Sequence, residues 1–301
     1  SLFIFVVMHL IPGDVVLQML AESASYDPAN EQAIRAKLGL DRSLPEQYGS
    51  WLLGLVRLDL GNSLWSGQKV SREIAQRLPV TLELGVLAIA IGVTLGIIFG
   101  IVSAVRQDSL VDYTVRVGSI LGIAVPEFVV ATLLVLLPAI YFGYFGQLRF
   151  VPITENAGEN LMQFIVPAAA LAPRLSAGTM RLMRSSMLEV IRQDYIRTAR
   201  AKGLRDVTVI GRHALKNAMI PVITVIGQQA LVVIGGAVII ETIFGLPGVG
   251  RLLVDSITRR DLTMVQGVVM FFAVFIVFTN LLVDLSYGWF DPRVRFGSAR
   301  R

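Results

Sequence analysis

The chain has 301 residues, of which 54% are hydrophobic and only 16% charged, with a mean hydropathy of +0.67; a soluble domain runs at roughly 45–50% apolar and about 25% charged, so an ordinary soluble enzyme is excluded and an integral membrane protein is indicated. There is no cysteine, and His9 and His213 are the only histidines, which excludes disulfides, thiolate metal sites and a His-rich metal centre. The net charge of +5 would suit nucleic acid, but basic cytoplasmic loops give the same sign, and here the charges follow the loops, so no nucleic-acid partner is expected.

Residues 2–11 ("LFIFVVMHLI") are apolar but too few to span a bilayer, which takes about 20 residues. They read as the end of a first span whose start is missing; a cleaved signal peptide would need a charged start and a cleavage site. Residues 12–79 form a long connection with amphipathic pieces. "NEQAIRAKLGL" places Ile34 and Leu38 at i and i+4 before a glycine stop at Gly39, and "LPEQYGSWLLGLVRL" predicts a second short helix. Spans follow at 80–105, 117–142, 162–182, 218–243 and 264–288, making six in all, and 80–288 is read as the permease domain.

Lysine and arginine in the short connections set the orientation. The 183–217 connection, the 106–116 connection (Arg106, Arg116) and the tail 289–301 (Arg293, Arg295, Arg300, Arg301) are basic and fall on one side, which is therefore cytoplasmic along with both termini. The opposite connections are poorer in positive charge, and 12–79 becomes a small external helical subdomain. Within 187–217 a basic island gathers Arg197, Arg200, Lys202, Arg205, Arg212 and Lys216 against Asp194 and Asp206. Spacing predicts a helix over 187–202, with Met187, Ile191, Tyr195 and Thr198 or Ala199 on one face, stopped by Gly203, then a second helix over 206–217 running into the next span. Anionic lipid would hold such a basic loop, but would not require a glycine hinge between two amphipathic helices.

Polar and helix-breaking residues inside spans are the remaining candidates. Pro126 and the pair Gly235–Gly236, with Pro167 and Pro173, interrupt spans, as a water-lined path or close packing through small residues would. Gln228 and Gln229 would line a path or bond between helices. Glu83 and Glu127 read as span-end residues reaching the interface, and Asp284 as paired with a basic neighbour. Glu241 ends the fifth span on the outer side, and "FGLPGVGRLL" after it predicts a short outer helix. No G-x-x-x-x-G-K-[ST], H-E-x-x-H or G-x-S-x-G is present.

Taken together, these stretches resemble a known family. "DYIRTARAKG" with "HALKNAMIP" resembles the EAA loop of binding-protein-dependent ABC transporter permeases, E-A-A-x3-G-x9-I-x-L-P. Anchored on Gly203, the E-A-A positions are Arg197, Thr198 and Ala199, and I-x-L-P falls on His213 to Lys216; the general pattern is kept mainly at Ala199, Gly203 and Leu215. The departures look like those of the dipeptide/oligopeptide branch, as do "HLIPGD" (9–14), "LGLDRSLPEQY" (38–48), "LDLGNSL" (58–64), "ETIFGLPGVGRLLVDSI" (241–257), "RRD" (259–261) and "DPRVRF" (291–296), in order along the chain.

The resemblance implies an all-α, six-span type I ABC importer permease that moves di- or oligopeptides by alternating access. Its setting would be a bacterial or archaeal cytoplasmic membrane. Its partners would be membrane lipid, a second homologous permease subunit, an external solute-binding protein, and two ATPase subunits that hold the ATP and Mg. No cofactor is expected in this chain. It implies that Asp194, Tyr195, Arg197, Thr198, Ala199, Arg200, Lys202, Gly203, Leu204, His213 and Leu215 belong to the ATPase-coupling loop, whose short helix lays an apolar face in an ATPase groove. It also implies that Glu241, Phe244 and Pro247 lie in an outer gate. Pro126, Gln228, Gln229, Gly235 and Gly236 are the candidates for the path. Nickel, glutathione or an oligosaccharide would suit the same architecture, while a secondary transporter would show an inverted repeat and intramembrane charges.

Overall fold

The computed structural model describes residues 2–10, 13–22, 28–143 and 149–290. The described elements are α1 (Leu2–Leu10), α2 (Val15–Glu22), α3 (Pro28–Leu38), α4 (Leu44–Val56), α5 (Val70–Val105), α6 (Leu110–Ala124), α7 (Glu127–Phe142), α8 (Ala157–Ile191), α9 (Asp194–Ala201) and α10 (Asp206–Thr208). A π-helical turn (Val209–Ala214) leads into α11 (Leu215–Phe244), and α12 (Val249–Thr258) and α13 (Leu262–Phe290) follow. One isolated β-bridge, Asn62 to Lys69, is the only extended pairing among the described residues. The chain divides into two compact units: residues up to Thr81 with Pro247–Val277, and Leu82–Leu246 with the segment from Phe278 onward.

In the first unit, Asp14 caps α2 by accepting the Val16 N–H at 2.8 Å and pairs with Arg35 of α3, which also holds Glu31 at 2.8 Å. Ile34 and Leu38 share one face of α3, as their spacing predicts, and pack with Leu64 and Trp65 on Val15, Val16 and Leu20. Gly39 then takes φ +69° and ends the helix. Ser43 and Glu46 form a capping box that starts α4. Val70 and Ile74 at the start of α5 bury against Val249 and Leu252 of α12 and Met264 and Val268 of α13. Asp261 accepts the Met264 N–H at 3.0 Å and the Leu64 N–H at 3.2 Å, so a single carboxylate starts α13 and holds the 58–69 loop.

The second unit is organised around α8. Gly92, Gly96 and Gly100 of α5 line up at four-residue intervals, and a Cβ on each would lie 2.6 Å from the Cβ of Leu175, Thr179 and Met183 respectively. Only glycine permits that approach of two backbones. Gly122 of α6 meets the Pro173 carbonyl and Gly236 of α11 meets Leu171 in the same way, with Cβ distances of 2.9 and 2.7 Å.

Several boundaries differ from the sequence reading. The expected limit of the external subdomain at 79/80 falls inside α5, which passes Pro79 unbroken. The expected straight span 117–142 is two helices bent by 97°. Pro126 supplies no N–H and holds Val125 extended at φ −84°, ψ 119°, so α6 stops and α7 begins beyond it. Among the described residues three helices are long and apolar enough to cross a membrane, four if the bent pair counts as one. The six expected spans also need α1, nine residues of which are described, and α8, which carries Arg174, Arg181 and Arg184. The Asp284 side chain, residue 11, "DPRVRF" and the tail beyond 290 lie outside the described residues.

Candidate functional site

The basic island folds into a projecting tip on a buried base. The continuous helix expected over 187–202 is instead α8 followed by α9, because Gln193 is extended (φ −70°, ψ 149°) as an N-cap and Asp194 opens the new helix, where an acidic group suits the helix dipole. Gly203 closes α9 at φ +78°, with nothing within 4 Å of the position a Cβ would occupy. That conformation costs an L-residue roughly 1–2 kcal/mol.

The expected face of Met187, Ile191, Tyr195 and Thr198 or Ala199 is divided by the break at Gln193: Tyr195 and Thr198 are exposed, whereas Met187 and Ala199 are buried. Ile196 and Ala199 are buried among Ala104 of α5, Met183 and Met187 of α8, Val209 and Ala214 of the π turn, and Ala218 and Val222 of α11. Leu215 packs on the same cluster, and His213 is half-buried in the π turn. Asn217 donates to the Tyr195 hydroxyl at 2.7 Å, bracing α9 on α11. The outward surface is made by Asp194, Tyr195, Arg197, Thr198, Arg200, Lys202 and Leu204, with Val207 at its apex, 83% exposed. Val207 was not singled out from the sequence; an apolar residue among charges just after a glycine turn is the signal that marks it. The ion pairs Arg197–Asp194 (3.5 Å) and Arg200–Asp206 (3.1 Å) lie at the surface.

Beneath the tip, Arg184 of α8 donates from Nε to Asp112 Oδ1 (2.9 Å) and to Ser103 Oγ (3.0 Å), and from Nη2 to Asp112 Oδ2 (2.7 Å). Asp112 also accepts the Ser103 hydroxyl and the Asp108 N–H, and is fully buried. The ends of α5 and α6 are thereby fixed to α8.

The path candidates divide between two faces of α11. Gln228 and Gly235 are exposed along with Val232 and Ile239, whereas Gln229 and Gly236 are buried. Gln229 donates to Thr179 Oγ1 (2.6 Å) and the Leu175 carbonyl (3.2 Å), the interhelical arrangement that competed with the path reading. Pro126 is exposed at the elbow. Glu127, expected near a span end, stands at that elbow instead, and Arg174 of α8 donates to its Oε2 at 3.0 Å. Glu241 is buried within α11 and Phe244 closes that helix; Gly245 (φ +70°) follows, and Pro247 begins the return of the chain into the other unit.

The family described as binding-protein-dependent transport system inner membrane component matches residues 96–296, and its N-terminal companion family matches residues 1–85. The chain belongs to this family. A putative peptide transport system permease protein of Brucella abortus is 44% identical over 296 residues, covering 98% of this chain and 94% of that protein. The dipeptide transport system permease protein DppB of Escherichia coli is 39% identical over 318 residues, covering 98% and 94%. Among solved structures, the inward-facing MetNI methionine ABC transporter aligns with a TM-score of 0.59 at 12% identity over 73% of this chain and 96% of that one. An amino acid ABC transporter gives 0.55 at 18% identity over 71% and 92%. At these identities the likeness shows the fold, an all-α ABC transporter permease. This inner membrane component is the permease subunit of an ABC importer.

Proposed function

We propose that this permease subunit carries di- and oligopeptides inward across a bacterial or archaeal cytoplasmic membrane. It supplies half of a pathway whose other half comes from a homologous permease subunit. Two ATPase subunits hold and hydrolyse ATP with Mg, and an external binding protein delivers the peptide. The peptide class is supported by the names of relatives 44% and 39% identical over nearly the whole chain. The observation that carries the ATPase docking is the tip itself. Tyr195, Leu204 and Val207 stand exposed on a turn fixed by Gly203, while Ile196 and Ala199 anchor that turn in the bundle.

In this reading the docked ATPase subunits close on ATP and push the tip. The buried base passes the displacement to α8 and α11, and the pathway alternates between outward and inward access. The tip and both termini lie on the cytoplasmic side, six spans bringing the chain back to where it began.

The test is ATP turnover by the purified chain and by the assembled complex. We expect none from the chain alone and turnover from the complex that rises with peptide-loaded binding protein. Turnover by the chain alone, or a complex indifferent to every peptide offered, contradicts the reading. A cysteine placed at Asp206 should react with an impermeant thiol reagent only from the cytoplasmic side.

A further inference from the structure

Arg174 sits at the middle of α8, in the expected span 162–182, between buried Leu171, Ala172 and Leu175. An arginine at such a depth is costly unless it faces protein or water, and marks a functional position by default. Here it lies on the exposed face of α8, where Arg174, Gly178, Arg181 and Ser185 follow one another at i, i+4, i+7 and i+11, while Leu175, Thr179, Met180 and Met183 are buried on the opposite face.

Among the described residues Arg174 has one anionic partner. Its Nη1 donates to Glu127 Oε2 at 3.0 Å, and Glu127 is 15% exposed while Arg174 keeps 53% of its side-chain surface. The other Glu127 oxygen lies 3.5 Å from where a Gly236 Cβ would stand, so a glycine leaves room for the carboxylate. One bond leaves most of the guanidinium's five donors open to a second anion. Arg181 follows about 10 Å along the helix and has no ion-pair partner among the described residues. Two arginines against one glutamate give this mid-helix face an excess of positive charge. A purely structural pair between α7 and α8 requires neither the excess nor the exposure.

We propose that Arg174 receives the terminal carboxylate of the transported peptide, with Glu127 as the counter-charge it exchanges. This rests on the peptide reading above and adds a recognition site inside the permease itself. In the empty subunit Glu127 compensates the arginine. An arriving peptide carboxylate takes the open donors of Arg174 in the forked, two-bond geometry that guanidinium favours. Glu127 remains beside it as an acceptor for peptide N–H groups, and Arg181 offers the carboxylate its next position toward the tip end of α8.

The complex, with its permease, ATPase and binding-protein partners, is reconstituted in liposomes and given a tritiated dipeptide bearing a photoreactive side chain. The unaltered complex should take up the peptide and cross-link it both to the binding protein and to this chain. Arg174→Ala should retain the binding-protein cross-link and lose about tenfold or more of the cross-link to this chain and of uptake, as removal of a charge-assisted pair predicts; Arg174→Lys should retain part of both. The exchanged pair Glu127→Arg with Arg174→Glu separates the alternatives. A structural ion pair is restored by the exchange, whereas a carboxylate site is not. Uptake rescued by the exchange, or an Arg174→Ala complex that cross-links and transports normally, overturns the proposal and leaves the peptide reading standing. An unaltered complex that takes up no peptide overturns the peptide reading itself.

Discussion

Arg184 grips Asp112 through two parallel bonds, Nε to Oδ1 at 2.9 Å and Nη2 to Oδ2 at 2.7 Å, with the carboxylate fully buried and the arginine only 18% exposed. Removing one member of such a pair strands the other. Asp112→Ala should therefore destabilise the protein by about 3–5 kcal/mol, seen as a lower thermal midpoint in detergent. The double variant Asp112→Ala with Arg184→Met should recover much of the loss. An unchanged midpoint for Asp112→Ala would show that the pair contributes little.

At the tip, conformation should outweigh charge. Gly203→Val forces a β-branched residue to φ +78°, costing roughly 1–2 kcal/mol and re-angling α10 while the spans still insert. Val207→Asp removes the exposed apolar apex. Arg197→Ala loses a surface pair worth under about 1 kcal/mol. Co-purification of the ATPase subunits should fall for the first two and hold for the third. The reverse order would return the island to a lipid-held loop.

Gly96 and Gly118 make a matched pair of tests. A Cβ at Gly96 meets the Thr179 Cβ at 2.6 Å, whereas one at Gly118 meets nothing within 4 Å. Gly96→Leu should reduce the yield of folded protein sharply, as overpacking commonly costs 1–3 kcal/mol or more, and Gly118→Ala should be neutral or stabilising by up to about 1 kcal/mol. Equal yields of the two variants would refute the close approach of α5 and α8.

Asp14 predicts an acid-side loss in the first unit. Partial burial opposes its ionisation, but Arg35 and the Val16 and Leu17 N–H groups outweigh this and hold its carboxyl below the ordinary value. A lowered folded-state value means the contribution is present above the ordinary carboxylate value of about 4. It fades as pH falls toward and through the lowered one. Thermal midpoints of the detergent-solubilised protein from neutral pH downward should fall less steeply for Asp14→Asn than for the parent. Parallel curves would contradict the assignment.

The sequence announced the helices that carry their own stop, Gly39 after α3 and Gly203 after α9, whereas the capping box of Ser43 and Glu46 before α4 emerges with the structure. Nor could the sequence announce which side of an amphipathic helix faces home. Ala199 reads with Tyr195 as part of one docking face, yet it is buried together with Ile196, because the segments that cover them, α5, α8, the π turn and α11, come together only in three dimensions. Glu127 was placed near a span end because an apolar run hides a corner, although Pro126 supplies the reason for one. Arg174 goes unremarked in the expected span 162–182, although it and Arg181 within one apolar run are signal enough.

The π-helical turn at Val209–Ala214 fits one more residue into the coil than an α-helix would over the same rise. It acts as a phase shifter between the tip and α11. Were the same residues wound as α-helix, everything from Leu215 to Phe244 would rotate by about 100° relative to the tip. Gln229 would then turn away from Thr179, and Gly236 would no longer offer its bare backbone to Leu171. Counting at 3.6 residues per turn from Val207 therefore misassigns the faces of α11. A push on the tip that rewound this one turn would reach the bundle as a twist of α11 about its own axis.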